Sequence, residues 1–283
     1  MSRKASALWL RAAGASFALL SNGNARAESS VGAQPAPDSV LRHFETGRPR
    51  PFVAGRLDLG LNARSMVALG WGRPHWLWVG VVGVSNFTPS NASQAGGFQV
   101  GAPFGELSLQ ARRVAAYQHR FLSPHSDFVK GDLTAGDQKV AHYGMLEASL
   151  TALIPARVGV VYISVWVDRL LAVPTDTYVY DEISRSVVQG PWVGVEQLSF
   201  LFFLTHDKHH RLGLLSEHLW SDRSSADVVR LGVTYSAQLT SHLALLAYAT
   251  EPVHSPDSLG AWWAAGGTLS LRYSWSSQDL QPP

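Results

Sequence analysis

The chain has 283 residues, with 23 Lys or Arg against 21 Asp or Glu and a net charge of +2. Charged residues make up only 16% while Trp stands at 10 and Gly at 25; soluble domains usually carry roughly 25% charge, and the absence of any apolar run of about 18 residues excludes a helical membrane bundle. There is no cysteine, which excludes a disulfide framework and a lipid-modified N-terminus.

Taken in chain order, the first segment reads as an export signal. Arg3 and Lys4 precede an apolar stretch from Ala12 to Leu20, interrupted upstream by Arg11, and Ala25-Arg26-Ala27 forms a small-x-small cleavage site. The alternative, a buried helix or an N-terminal anchor, is disfavoured because a bilayer span needs roughly 20 residues. Residues 1–27 are therefore expected to be a cleaved signal peptide. Four of the 23 basic residues leave with it and none of the 21 acidic ones, so the remainder carries a net charge of −2. The basic excess belongs to the signal, and nucleic acid is not an expected partner. Freedom from cysteine also suits passage through an oxidising periplasm.

Residues 28–51 (ESSVGAQPAPDSVLRHFETGRPRP) are polar and Pro-rich, and are expected to form a disordered periplasmic leader. From 52 onward the pattern changes to period two. In Arg157 to Leu170, Val161, Ile163, Val165 and Val167 share one apolar face, against Tyr162, Ser164, Trp166 and Asp168 on the other. In Asp227 to Leu239, Val229, Leu231, Val233 and Tyr235 oppose Arg230, Thr234, Ser236 and Gln238. In the last such segment Trp263, Leu269, Leu271, Tyr273 and Trp275 oppose Thr268, Ser270, Arg272 and Ser274. This alternation marks strands whose two faces meet different solvents. Helices are disfavoured by the Val, Ile, Thr, aromatic and Gly content of these segments.

About twelve strands follow from this pattern, at about 52–61, 65–72, 76–86, 96–104, 106–120, 140–154, 157–170, 192–205, 209–220, 227–239, 242–253 and 262–275. Tight connections at Gly72 to His75, Pro103 to Gly105, Pro155-Ala156, His206 to Lys208 and Thr240-Ser241 interleave with longer polar loops at 87–95, 121–139, 171–191, 221–226 and 254–261. A first hairpin tip at Asn62 to Arg64 is also short. The expected fold is an all-β, antiparallel transmembrane β-barrel over 52–275, with a short tail at 276–283. Short periplasmic turns alternating with longer external loops are the pattern of outer-membrane barrels; a secreted sandwich is the rival.

The stretch GRLDLGLNARSMVALGWGRPHWLWVG (Gly55 to Gly80), the segment SPDSLG (Ser255 to Gly260) and the ending LSLRYSW (Leu269 to Trp275) resemble a group of uncharacterised bacterial outer-membrane barrel proteins. The resemblance implies outer-membrane localisation and a barrel fold, and brings no activity with it. An aromatic-ended final strand is similar to the signal that such barrels present to the barrel-assembly machinery, although here Ser276 to Pro283 follow it.

Several clusters invite chemistry. His206-Asp207-Lys208-His209-His210 holds metal-ligand types, but Lys208 would repel a cation and the segment reads as a solvated turn. Glu217 and His218 point to opposite strand faces and cannot form an acid–base pair on one surface. His254, Ser255 and Asp257, next to Glu251, suggest a lipase-like site at the outer rim, against which stand the flanking prolines and the lack of a G-x-S-x-G elbow. Neither a catalytic nor a metal set is expected, nor a cofactor.

Trp71, Trp76 and Trp78 with His75, and Trp262, Trp263, Tyr273 and Trp275, are expected to form interfacial aromatic girdles, with stacking of a sugar or aromatic solute as the alternative for the Trp71–Trp78 hairpin. With the apolar faces turned to lipid, Arg56, Asp58, Glu106, Arg112, Glu147, Asp168, Arg230 and Arg272 are expected inside, with Gln110, Ser149, Thr151 and Ser164. Enclosed charges of both signs should pair across strands. They would then zip the lumen shut or line a path for a small polar solute. The expected activity is passive solute passage or a structural and surface role. A rim hydrolase and an adhesion protein using loops 121–139 and 171–191 are the alternatives.

Overall fold

The computed structural model describes residues 49–277, apart from 61, 74–76, 103, 136–137, 224–226 and 261–265. The expected signal peptide, leader residues 28–48, tail residues 278–283, and Trp76, Trp262 and Trp263 lie outside the described residues. The wall strands are β1 (Arg50–Gly60), β2 (Ala63–Arg73), β3 (Leu77–Phe87), β4 (Asn91–Ala102), β5 (Gly105–Arg120), β6 (Val140–Ala156) and β7 (Gly159–Leu171), then β10 (Trp192–Phe203), β11 (His210–Ser221), β12 (Val228–Gln238), β13 (Leu243–His254) and β14 (Gly266–Ser276). Each pairs antiparallel with its neighbours, and β14 returns to β1 through Gly55↔Trp275 and Asp58↔Arg272 to close a twelve-stranded barrel. Closure leaves no open sheet edge, so neighbouring wall strands supply one another's backbone partners. The remaining two strands, β8 (Tyr178–Asp181) and β9 (Ser186–Gln189), pair with each other as a separate two-stranded sheet outside the wall ladder.

Alternation assigns the faces. On β11, Leu212 and Leu214 point outward and are 44% and 66% exposed, whereas Leu215 and Leu219 are buried inside. Leu69, Val79, Phe98, Leu109, Leu231 and Leu269 extend the outer apolar surface around the wall, each at least half exposed. A continuous belt of this kind far exceeds the apolar patch of a few hundred Å² that a soluble surface carries. An apolar groove of about 610 Å³ lies on this outer side between Leu69, Val79, Val81 and Phe98.

Several boundaries differ from the sequence reading, three of them instructively. Arg50 and Pro51, assigned to the leader, already pair with Gly72 and Trp71. The loop expected at 87–95 is short, because Asn91–Ala95 belong to β4. That segment (NASQA) has poor strand propensity, but pairing with both β3 and β5 supplies its backbone partners. The turn expected at Pro155-Ala156 falls at 157–158, after β6.

Trp78 overturns its girdle assignment. It follows Leu77 and precedes Val79, both outward, so it must point into the barrel, where it is 2% exposed. Its ring meets Phe52 edge-on at 5.7 Å. The indole lies over Gly101, its register partner, where any Cβ would collide with the ring nitrogen. Trp78, Phe52, Ala54, Met66, Ala68 and Val82 belong to one apolar cluster under β1–β4. Trp78→Ala is expected to cost about 3–5 kcal/mol in urea unfolding, and Trp71→Ala, at a site 54% exposed, much less. Equal losses would mean that Trp78 is not a core residue. Trp71, Tyr273 and Trp275 are outward.

Candidate functional site

The loop after β7 does not extend away from the barrel; it folds inward as the β8–β9 hairpin, so Tyr178 to Gln189 are packed inside and not held out as a free external loop. YVYD and SVVQ give the hairpin two apolar faces. Val179 and Val188, paired in register and fully buried, pack on the inner wall beside Tyr143, Met145, Leu170, Val193 and Leu219. Tyr180 and Val187 face Leu122, Phe128, Leu133 and Leu259 from the overlying loops. The tip is closed by Asp181, whose carboxylate accepts the Ser184 N–H at 2.9 Å, and by Arg185 in the left-handed region at φ 49°.

The tip spans the lumen. On one side Asn91 Nδ2 donates to Glu182 Oε2 at 2.7 Å, and Thr88 Oγ1 donates to the same oxygen. His119 Nδ1 stands 3.7 Å from Glu182 Oε1. Burial raises the Glu182 carboxyl above its ordinary range, and the Thr88 hydrogen bond partly opposes that. On the other side Arg185 donates to Gly267 O at 2.9 Å. Arg230, 1% exposed, donates to Arg185 O and Ser186 Oγ, each at 2.9 Å, and pairs with Glu217.

Beyond the hairpin lies a cavity of about 500 Å³, and seven of the eight charged residues named from the sequence line it. Arg230, the eighth, is buried against the hairpin tip. The structure brings them together in groups. Asp58 accepts a hydrogen bond from Arg272 Nε at 2.6 Å and forms an ion pair with Arg56, whose Nε stands 3.2 Å away. Arg112 donates to Glu147 Oε2 from Nη2 at 2.6 Å and Nε at 3.0 Å. Glu106 accepts from Gln99 Nε2 at 2.8 Å. Asp168 stands in register with Glu147 and takes no hydrogen bond or ion pair among the described residues.

Sequence reasoning missed Arg64, Glu182, Arg185 and Glu217. Arg64 shares the inward phase of Met66 and Ala68, a signal lost because β2 was begun at 65 and not at Ala63. Glu217 was weighed only against His218, although its inward phase is shared with Leu215 and Leu219.

The other clusters make the following contacts. The Asp257 carboxylate is held by Arg223 Nη1 at 2.8 Å and by the Phe128 N–H at 3.1 Å, and Ser255 Oγ donates to Asp257 O at 3.1 Å. No contact joins Ser255, His254 and that carboxylate among the described residues, so the lipase-like set is not assembled. Asp207 accepts the His209 N–H at 3.1 Å and the Thr205 hydroxyl, whose hydrogen bond above all holds its carboxyl below the ordinary range. His210 Nδ1 and Tyr235 OH share a hydrogen bond of 2.8 Å. Among the described residues no group of three potential metal ligands occurs.

Solved structures similar in fold are outer-membrane barrels. A KdgM porin has 5% identity and a TM-score of 0.38, with 79% of this chain and 99% of that chain covered. OmpT of Vibrio cholerae has 9% identity and a TM-score of 0.38, covering 82% and 99%. The translocator domain of the autotransporter NalP from Neisseria meningitidis has 12% identity and a TM-score of 0.34, covering 83% and 90%. No protein-family model matches the chain, and no curated protein does.

Proposed function

We propose that this chain is an outer-membrane channel for small polar solutes, narrowed by its own inward hairpin. The carrying observation is a charged cavity of about 500 Å³ inside a closed β wall whose outer face is apolar. A wall with oil outside and water inside keeps its amides satisfied only by closure, and every wall strand has at least 11 residues, enough to cross. Outer-membrane lipid is the partner of the belt. The barrel-assembly machinery is the partner of the aromatic-ended segment Leu269 to Trp275 during biogenesis.

The test is conductance in a planar bilayer. Stepwise openings that change when Arg112 or Glu147 is neutralised are expected, and silence from folded protein counts against a pore. Membrane insertion has its own check: the folded barrel should migrate differently on a denaturing gel before and after boiling. Leu214→Arg, on the outer belt, is expected to lower stability in lipid by about 2–4 kcal/mol, the cost of an arginine near a bilayer midplane. The same change with no effect in bilayers would place Leu214 away from hydrocarbon.

A further inference from the structure

The charges on the lumen wall are not evenly mixed. Asp58 on β1 has a register partner on each side, Arg64 on β2 and Arg272 on β14. One rung of the wall therefore reads Arg272, Asp58, Arg64, and Arg56 lies two residues earlier on β1, on the same inner face. The single carboxylate is shared. Arg272 donates to it from Nε at 2.6 Å and Nη2 at 3.4 Å, and Arg56 Nε stands 3.2 Å away. Arg64 also feels its attraction. All four side chains line the cavity of about 500 Å³, and Arg56, Asp58 and Arg272 are buried. Arg185 of the hairpin tip, fastened to Gly267 O of β14, brings a further cation to the same strands.

Among the described lining residues no second acid shares β14, β1 and β2. Glu106, Glu147 and Asp168 stand on β5–β7, and Glu182 is held by Asn91 and Thr88. On one side β3 and β4 intervene, with neutral lining groups such as Asn86 and Gln99. On the other side β10 to β13 intervene, again with neutral lining such as Ser199 and Thr234. The Arg112–Glu147 pair comes within electrostatic reach of Arg64 but is neutral as a unit. Three arginines around one aspartate leave an excess of two positive charges on this face. They also carry more N–H donors than one carboxylate has lone pairs to offer. Enclosed charge of one sign is unfavourable without a counter-ion.

We propose that this face of the lumen binds a small oxyanion of the phosphate or carboxylate type, facing Arg64 and Arg272 with Arg56 below, and that the channel passes anions in preference to cations. The inference deepens the channel reading and rests on it. Guanidinium forks match the paired oxygens of either group, and an excess of two charges favours a dianion over chloride. Asp58 holds Arg272 in place and also weakens the site, so that a bound anion can leave again, as conduction requires.

The test titrates the full barrel in detergent calorimetrically with inorganic phosphate and with succinate, at fixed ionic strength. Binding is expected, and Arg64→Gln should weaken it by roughly tenfold to a hundredfold, the loss of one charge-assisted hydrogen bond. Arg64→Lys should recover part of that, keeping the charge without the fork. Asp58→Asn should tighten binding, because it removes the competing carboxylate. Heat-shifted migration on gels checks that each variant folds. The same variant pattern with phosphate alone, or with succinate alone, supports the site and names its source. Asp58→Asn weakening binding as much as Arg64→Gln overturns the proposal, since the rung then acts by packing and not by excess charge. No binding of either probe by the folded wild-type barrel overturns it as well, and so does binding that Arg64→Gln leaves unchanged. Reversal potential across a potassium chloride gradient is measured on the same preparation, and a preference for potassium counts against the proposal. Current without oxyanion binding sinks the site and spares the channel, whereas Arg64-dependent binding without current sinks the channel and spares the site.

Discussion

Glu217→Ala is expected to lower the unfolding free energy by about 3–5 kcal/mol, the usual effect of leaving a buried charge without its counter-ion. Arg230 is 1% exposed and pairs with Glu217 through Nη1, while its Nη2 holds Arg185 O and Ser186 Oγ at the hairpin tip. Glu217 also accepts from Gln197 Nε2 at 2.6 Å. The wall and the hairpin therefore share one cation, and its loss of balance should loosen both. Urea titration followed by tryptophan fluorescence reads the stability. Adding Arg230→Met to Glu217→Ala should recover most of the loss, since neither charge then remains to be desolvated. If the double variant is as unstable as the single one, the cost lies in packing around Glu217 and not in the stranded charge.

Replacing Tyr178 to Gln189 by a short Gly/Ser linker is expected to raise single-channel conductance several-fold while the barrel stays folded. The hairpin fills one end of the lumen with Val179 and Val188 against the wall and Tyr180 and Val187 under the loops. It lends no strand to the wall, so the twelve-stranded ladder does not depend on it. Its main-chain tie to the rest of the molecule is the Leu122–Tyr178 bridge, with hydrogen bonds of 2.9 and 2.8 Å. Conductance equal to that of the intact protein would show that the current, if any, bypasses the hairpin.

The wall was legible because its strands separate two solvents, and a period of two writes that separation into the residue order. Val161, Ile163, Val165 and Val167 against Tyr162, Ser164, Trp166 and Asp168 is enough to orient β7. The hairpin was not legible for the same reason in reverse: with protein on both faces, Val179 and Tyr180 are equally apolar, and no alternation marks them as strand. β4 hid behind its composition, since Asn91, Ser93 and Gln94 look like loop until the pairing with β3 and β5 is known. Trp78 was misplaced by grouping it with Trp71 on residue type, although Leu77 and Val79 beside it gave its phase. The lumen charges could be assigned a side from phase alone. Which of them pair depends on register and reach across the barrel, and a single sequence does not carry those.

The meeting of β1 with β14 has a kinetic consequence. The Ser277 N–H reaches Val53 O at 2.8 Å, and the Val53 N–H reaches Ser277 Oγ at 3.1 Å across 224 residues of chain. Contacts so distant along the polypeptide are slow to form because a long loop must close first. Until that seam is sewn, the opening strand presents a raw hydrogen-bonding margin that any passing extended segment can capture. Nascent copies of this protein should therefore need an escort that guards β1 until the last strand arrives.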